Sequence, residues 1–171
     1  MLYPPKHAHK KIFEELLSYR KEIYFICLGF SRNHTDAEEL TQDVFLKAMI
    51  KINSLKNINA AKIWLIRICR NTCLDHAKKN RIRIYYLNHP NIDSDSHPSL
   101  ESKLIFAQDI EKVKKAIHLL PKKQKDVFIL REYGDLSYRE IAKTLKIKIG
   151  TVMSRLNRAK KTIVEKVGRE L

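Results

Sequence analysis

The stretch LSYREIAKTLKIKIGTVMSRLNRAKK, residues 136–161, decides the fold. Ser137 and Glu140 form the pattern Ser-x-x-Glu, a capping box in which each side chain takes up a backbone N–H left free at a helix start. Ile141, Ala142 and Leu145 follow at helical spacing, so a short helix buries one apolar face. Lys146 to Lys148 make a tight break, and Gly150-Thr151 opens a second helix running to about Lys166. Its buried stripe is Val152, Leu156, Ala159 and Ile163, while Met153, Ser154, Asn157, Arg158 and Lys161 fall on the opposite side. Two helices joined by a short turn, the second showing Arg, Lys, Ser and Asn to solvent, describe a helix-turn-helix that reads DNA. A basic face alone would equally fit a solvated helical hairpin. The capping box, turn and polar face together favour DNA.

Charge points the same way. Lys and Arg number 34 against 19 Asp and Glu, a net charge of +15 that suits a polyanionic partner through counterion release. The 19 acids still call for an acidic face somewhere. The 171 residues can hold one sizeable core or two small ones, and 4 glycines and 5 prolines fit a mostly helical chain. Three cysteines, an odd number, argue against a disulfide scaffold and for a reducing cytoplasm. Met1-Leu2-Tyr3-Pro4-Pro5 leads into a charged segment rather than a secretory signal, and no run of about twenty apolar residues would span a membrane. Without a Gly-rich phosphate loop, a Ser/His/Asp set or convergent carboxylates, neither an enzyme, a small-molecule substrate nor a cofactor is expected.

Taken in order, residues 8–30 read as one long helix, with Ile12, Phe13, Leu16, Leu17, Ile23, Tyr24, Ile26 and Cys27 apolar and Gly29 near its end. Thr35 or Asp36 is the expected N-cap of the next helix, over about 36–52. Ala37, Leu40, Val44, Phe45, Ala48 and Met49 make its apolar side, and Glu39, Gln42, Asp43 and Lys47 its acid-rich face. Residues 53–59 read as a loop. A third helix over about 60–79 carries Ile63, Trp64, Ile66, Ile68, Cys69, Cys73, Leu74 and Ala77, and grows basic through Arg67, Arg70, Asn71, Lys78 and Lys79. Trp64 could stack on a base, but its place in an apolar stripe favours the core. Cys69, Cys73 and His76 share a stripe that would suit a metal or redox site. Cysteines on an apolar helix face usually behave as small hydrophobes, and no fourth ligand lies nearby, so no metal is expected. Pro- and Ser-rich residues 88–102 read as a linker. A second unit then begins near Leu104, with Ile105, Phe106, Ile110, Val113, Ala116, Ile117 and Leu120 apolar; Pro121 restarts the helix in its first turn.

Three segments, DAEELTQDVFLKAM, WLIRICRNTCLDHAKK and LPKKQKDVFILREYGDLSYREIAKTLKIKIGTVMSRLNRAKK, resemble domains two and four of bacterial RNA polymerase sigma factors of the extracytoplasmic-function (ECF) group. The resemblance covers about residues 10–83 and 104–168. It implies an all-α fold of two small helical domains, 8–83 and 104–171, joined by a flexible linker, 84–103. It implies a cytoplasmic promoter-specificity subunit that binds core RNA polymerase and directs initiation at −10/−35 promoters. Glu39, Leu40, Gln42, Asp43 and Lys47 would then grip the clamp coiled coil of the polymerase largest subunit. The loop 53–59 would hold an extruded base of the −10 element, with Arg67, Arg70, Asn71, Lys78 and Lys79 addressing that DNA. Met153, Ser154, Asn157 and Arg158 would read the −35 element from the helix opened by Thr151, with Arg155 and Lys161 on phosphates. Two positions depart from the family: Lys148 stands where relatives often have a Ser cap and could serve a phosphate, and Met153 stands where many have Lys or Arg. Asp93, Asp95 and Glu101 of the linker could mimic nucleic acid in the transcript channel. The resemblance also implies an anti-sigma factor, membrane-embedded for many relatives. A free-standing helix-turn-helix regulator that never enters polymerase is the alternative.

Overall fold

A computed structural model describes residues 6–31, 33–87 and 101–168, with side chains described for 10–31, 33–80 and 110–168. The first unit comprises α1 (Lys6–Ser18), α2 (Arg20–Phe30), α3 (His34–Lys51), two 3-10 turns (Ile52–Ser54 and Ile58–Ala60) and α4 (Ala61–Leu87). The second comprises α5 (Glu101–His118), α6 (Lys122–Glu132), α7 (Tyr138–Leu145) and α8 (Ile149–Gly168). All regular structure among the described residues is helical. Residues 88–100, with Asp93 and Asp95, lie outside the described residues.

The single helix expected over 8–30 is two. Tyr19 (φ −87, ψ 7) leaves helical geometry, and its N–H bonds the Leu16 carbonyl at 3.1 Å. Ser18 Oγ donates to the Glu15 carbonyl at 2.6 Å, a local bond of the kind that competes with the helical ladder. Periodicity could not show this, because apolar residues continue on both sides of the break. The cap of α3 is Asn33, not Thr35 or Asp36: its Oδ1 accepts the Asp36 N–H at 2.7 Å, leaving Asp36 in the first turn, where a carboxylate suits the helix dipole.

The second unit starts from a small cluster in which Ala116, Ile117 and Leu120 meet Ala159 and Ile163. Ile110 and Val113, expected inside, are exposed. Pro121 sits at the N-cap of α6 rather than in its first turn, its carbonyl accepting the N–H groups of Gln124 at 2.8 Å and Lys125 at 2.9 Å. The capping box of α7 is formed as expected: Ser137 Oγ accepts the Glu140 N–H at 3.3 Å and Glu140 Oε2 accepts the Ser137 N–H at 2.8 Å. Lys146 ends α7 in the left-handed region at φ 55, which makes the turn into α8 tight.

The two units share one core. Ile23, Ile26, Leu40, Val44, Leu65 and Cys69 of the first belong to the same buried cluster as Val127, Ile129, Leu130, Ile141 and Val152 of the second. Gly29, expected as a helix-ending signal, lies inside α2 against α6; a Cβ there would come 2.8 Å from Ile129 Cγ2 and 2.9 Å from Tyr133 Cγ. Gly134 is pinned from the other side, where a Cβ would come 2.9 Å from Ile26 Cδ1. Only glycine permits this approach of α2 to the end of α6.

Candidate polymerase and nucleic-acid interfaces

The α8 face emerges as its periodicity requires. Val152, Leu156, Ala159 and Ile163 are buried, while Met153, Ser154, Asn157, Arg158 and Lys161 are exposed. Lys148 is exposed at the start, and its carbonyl accepts the N–H groups of Thr151 at 3.0 Å and Val152 at 3.2 Å. Its side chain cannot take up the remaining N–H groups, so the positive end of α8 stays open to an anion. Half-buried Thr151 and Arg155, with Ser154 and Arg158, line a shallow groove whose other wall is Pro121, Lys122, Lys123 and Gln124. The lysines at the start of α6 were not singled out from sequence, although the pair directly after a proline marks a basic helix start.

On α3, Glu39, Gln42 and Asp43 are exposed as expected. Leu40 corrects the expected set: it is 2% exposed within the core, one turn before Val44, and presents nothing to a partner. Half-buried Lys47 leans back onto α4, where its Nζ donates to Thr72 Oγ1 at 3.2 Å. In their place the face offers Leu46 (57% exposed), Met49 (52%) and Ile50 (80%). Met49, expected in the core, is therefore a surface residue. An acidic face continued toward the C-terminal end of α3 by exposed apolar side chains suits a protein partner better than a solvated helix.

The residues of α4 expected on DNA divide. Asn71, Lys78 and Lys79 are exposed, but Arg67 and Arg70 turn toward the second unit. Arg70 Nε donates to Asp126 Oδ2 at 3.1 Å, its Nη2 reaches the same oxygen, and Asp126 is 4% exposed. Arg67 Nε donates to the Thr144 carbonyl at 3.3 Å and Nη2 to the Lys143 carbonyl, so a cation closes the C-terminal end of α7, where the dipole is negative. Lys62 adds contacts to Glu22 at 3.4 Å and Glu140 at 3.8 Å. In this arrangement the Arg67 and Arg70 side chains are engaged by the second unit. The loop 53–59 is held locally: Asn57 Oδ1 accepts the Asn59 N–H at 2.9 Å, and half-buried Trp64 packs on the core while its Nε1 donates to Ser54 Oγ at 3.2 Å.

Cys69 and Cys73 do not pair with His76, which meets Asn80 Nδ2 at 3.4 Å. They converge instead with Cys27 of α2, which sequence reading left apart. Sγ of Cys27 lies 3.6 Å from that of Cys69 and 3.8 Å from that of Cys73, all three buried. Hydrogen bonds from Cys69 and Cys73 pull the Cys27 thiol below its ordinary pKa, and the contact with Cys27, together with burial, pushes the other two up.

Two family models match this chain: Sigma-70 region 2 over residues 16–82 and Sigma-70 region 4 over residues 110–163. The ECF RNA polymerase sigma-E factor of Haemophilus influenzae is 31% identical, over 95% of this chain and 90% of its own length. The chain belongs to the ECF sigma factors of the sigma-70 family. ECF RNA polymerase sigma factor SigW of Bacillus subtilis is 26% identical over 92% of this chain and 90% of its own. Among solved structures, sigma factor RpoE of Bartonella quintana, in complex with the anti-sigma factor NepR, superposes with a TM-score of 0.72 at 29% identity, over 93% of this chain and 98% of that one. CnrH, in complex with the cytosolic domain of CnrY, shares the fold at a TM-score of 0.66 and 19% identity. In this ECF sigma factor the region 2 match carries the acidic face of α3, the cations of α4 and the cysteine cluster, and the region 4 match carries α6 to α8 up to Ile163.

Proposed function

We propose that this protein is a promoter-specificity subunit that binds core RNA polymerase and directs transcription initiation at promoters with −10 and −35 elements. One observation carries the reading beyond family membership: a single chain shows two unlike faces, acidic and apolar on α3, basic with hydroxyl and amide groups on α8. Phosphate repels the first and attracts the second. A free-standing regulator has use for only one of them. Control by an anti-sigma factor is supported by the complex with NepR in which its structural relative from Bartonella quintana was solved.

In this reading Glu39, Gln42 and Asp43, with Leu46, Met49 and Ile50, engage the clamp coiled coil of the largest subunit, where complementary charge sets specificity and encounter rate. Asn71, Lys78 and Lys79 address the −10 element, and the loop 53–59 receives the extruded base, which costs a few kcal/mol of lost stacking and pairing. Arg67 and Arg70 join them only once the two units part. Residues 8–83 and 104–171 thus act as separate domains on the promoter. On the −35 element Met153, Ser154, Asn157 and Arg158 meet base edges, and Lys148, Arg155 and Lys161 meet phosphates. Bond making belongs to the polymerase, and the site of action is wherever polymerase is, the cytoplasm. Among the described residues no helix is long and apolar enough to cross a membrane.

Reconstitution tests this. The purified chain mixed with core polymerase should elute as a stable complex that then retains promoter fragments, and Gln42→Ala with Asp43→Ala should abolish the complex. Failure of the unaltered chain to join core polymerase would refute the proposal.

A further inference from the structure

We propose that Cys27, Cys69 and Cys73 form a binding site for a soft, thiophilic d10 metal ion held by three thiolates, the class to which cuprous copper belongs. Side chains from two helices bring three sulfur atoms to one point: Cys27 from α2, Cys69 and Cys73 from successive turns of α4. All three ligand atoms lie within 4.8 Å of one another, Cys27 Sγ at 3.6 Å from Cys69 Sγ and 3.8 Å from Cys73 Sγ. A metal–thiolate bond of about 2.3 Å sets sulfur–sulfur edges of about 4.0 Å in a trigonal plane and about 3.8 Å on one face of a tetrahedron. Sulfur atoms in plain contact sit nearly as far apart, so the ion would enter a triangle already close to the right size, with little movement of either helix.

The donor set then selects the ion. No other His, Cys, Asp or Glu ligand atom belongs to the group among the described residues. Zinc in structural sites takes four ligands, whereas an all-sulfur, three-donor set shut off from water suits a soft ion content with three. Cys27, Cys69 and Cys73 are each at most 2% exposed, so the three sulfur atoms are the donors this buried site offers. Binding is an exchange: the three S–H protons leave to solvent as three S–metal bonds form, with no change of oxidation state.

The position gives the site a consequence. α2 carries Ile26 and Gly29, which meet Gly134 and Ile129 of the second unit, and α4 carries Arg67 and Arg70, which hold Thr144 and Asp126. An ion that ties α2 to α4 stiffens the two helices against which the second unit is closed. The site itself stands whether or not the chain proves to act on polymerase.

The test is an anaerobic titration of the full chain with Cu(I), supplied against a chromophoric Cu(I) chelator. The expected result is a single ion per chain, a thiolate-to-copper band in the near ultraviolet, a raised melting temperature, and X-ray absorption showing three sulfur ligands. Cys27→Ala and Cys69→Ala should each lose the ion, while His76→Ala keeps it. Binding that survives both cysteine substitutions, a coordination shell with fewer than three sulfurs, or a chain that takes no copper from the chelator would overturn the proposal. Should an alanine variant unfold, the sulfur count of the unaltered chain decides alone.

Discussion

Replacing Arg70 by alanine should open the molecule. Asp126 is 4% exposed, and both its contacts to Arg70 fall on one oxygen, Oδ2. Its other oxygen, Oδ1, is buried with no hydrogen-bond partner among the described residues. No hydrogen bond to Oδ1 is therefore in place to hold the charge once the guanidinium is gone. Stripping one partner from a buried ion pair costs about 3–5 kcal/mol, mostly as an uncompensated charge rather than a lost attraction. The chain can avoid that cost by swinging α6 into water, so the loss divides between separation of the units and global unfolding. Arg70→Ala should lower the denaturant midpoint and enlarge the radius of gyration in small-angle scattering. Asp126→Asn added to Arg70→Ala removes the stranded charge, and should restore much of the stability and the compact radius. The reasoning fails if Arg70→Ala matches the unaltered chain in both readouts, or if the second substitution makes matters worse by the sum of the two single effects.

Three further expectations follow from particular contacts. Burial pushes the Glu140 carboxyl up, but hydrogen bonds from the Ser137 hydroxyl and N–H, with Lys62 nearby, outweigh it and hold the pKa below the ordinary value. The stability it contributes is therefore full above the unfolded-chain value of about 4.3 and fades as pH falls through the lower folded value, so Glu140→Gln should flatten the acid limb of a melting-temperature profile. Gly29→Ala forces a methyl against Ile129 and Tyr133 and should cost about 1–3 kcal/mol in denaturant unfolding, more than an alanine gains elsewhere in a helix. Arg158→Ala should weaken binding to the −35 duplex by about 1–3 kcal/mol in a fluorescence titration without changing affinity for core polymerase, whereas Ile50→Asp on α3 should do the reverse.

What could be read in the sequence was local or periodic. The Ser137–Glu140 box needs only four consecutive residues, and the α8 stripe repeats often enough that its buried and exposed sides separate without ambiguity. What could not be read depends on residues far along the chain. Gly29 resembles a helix stop until Ile129 and Tyr133 are placed beside it. Arg67 and Arg70 look like DNA contacts because a cation on a basic helix carries no mark of its partner; nothing in PKKQKDVF says that Asp126 turns inward. Cys27 stands 42 positions from Cys69, on another helix, so only packing joins them. On α3 the misreadings have one cause. A helix wedged between α2 and α4 buries Leu40, Val44 and Ala48 but leaves Leu46, Met49 and Ile50 outside, and composition alone cannot separate two apolar stripes.

The most direct measurement is run-off transcription from a library of genomic fragments by purified core RNA polymerase, with and without this chain. The expected result is a set of transcripts with defined start points that appear only when the chain is present and disappear with the Gln42→Ala, Asp43→Ala pair. An unchanged set of transcripts, from a chain that still binds particular duplexes on its own, would contradict a promoter-specificity subunit and leave a regulator that acts outside the polymerase.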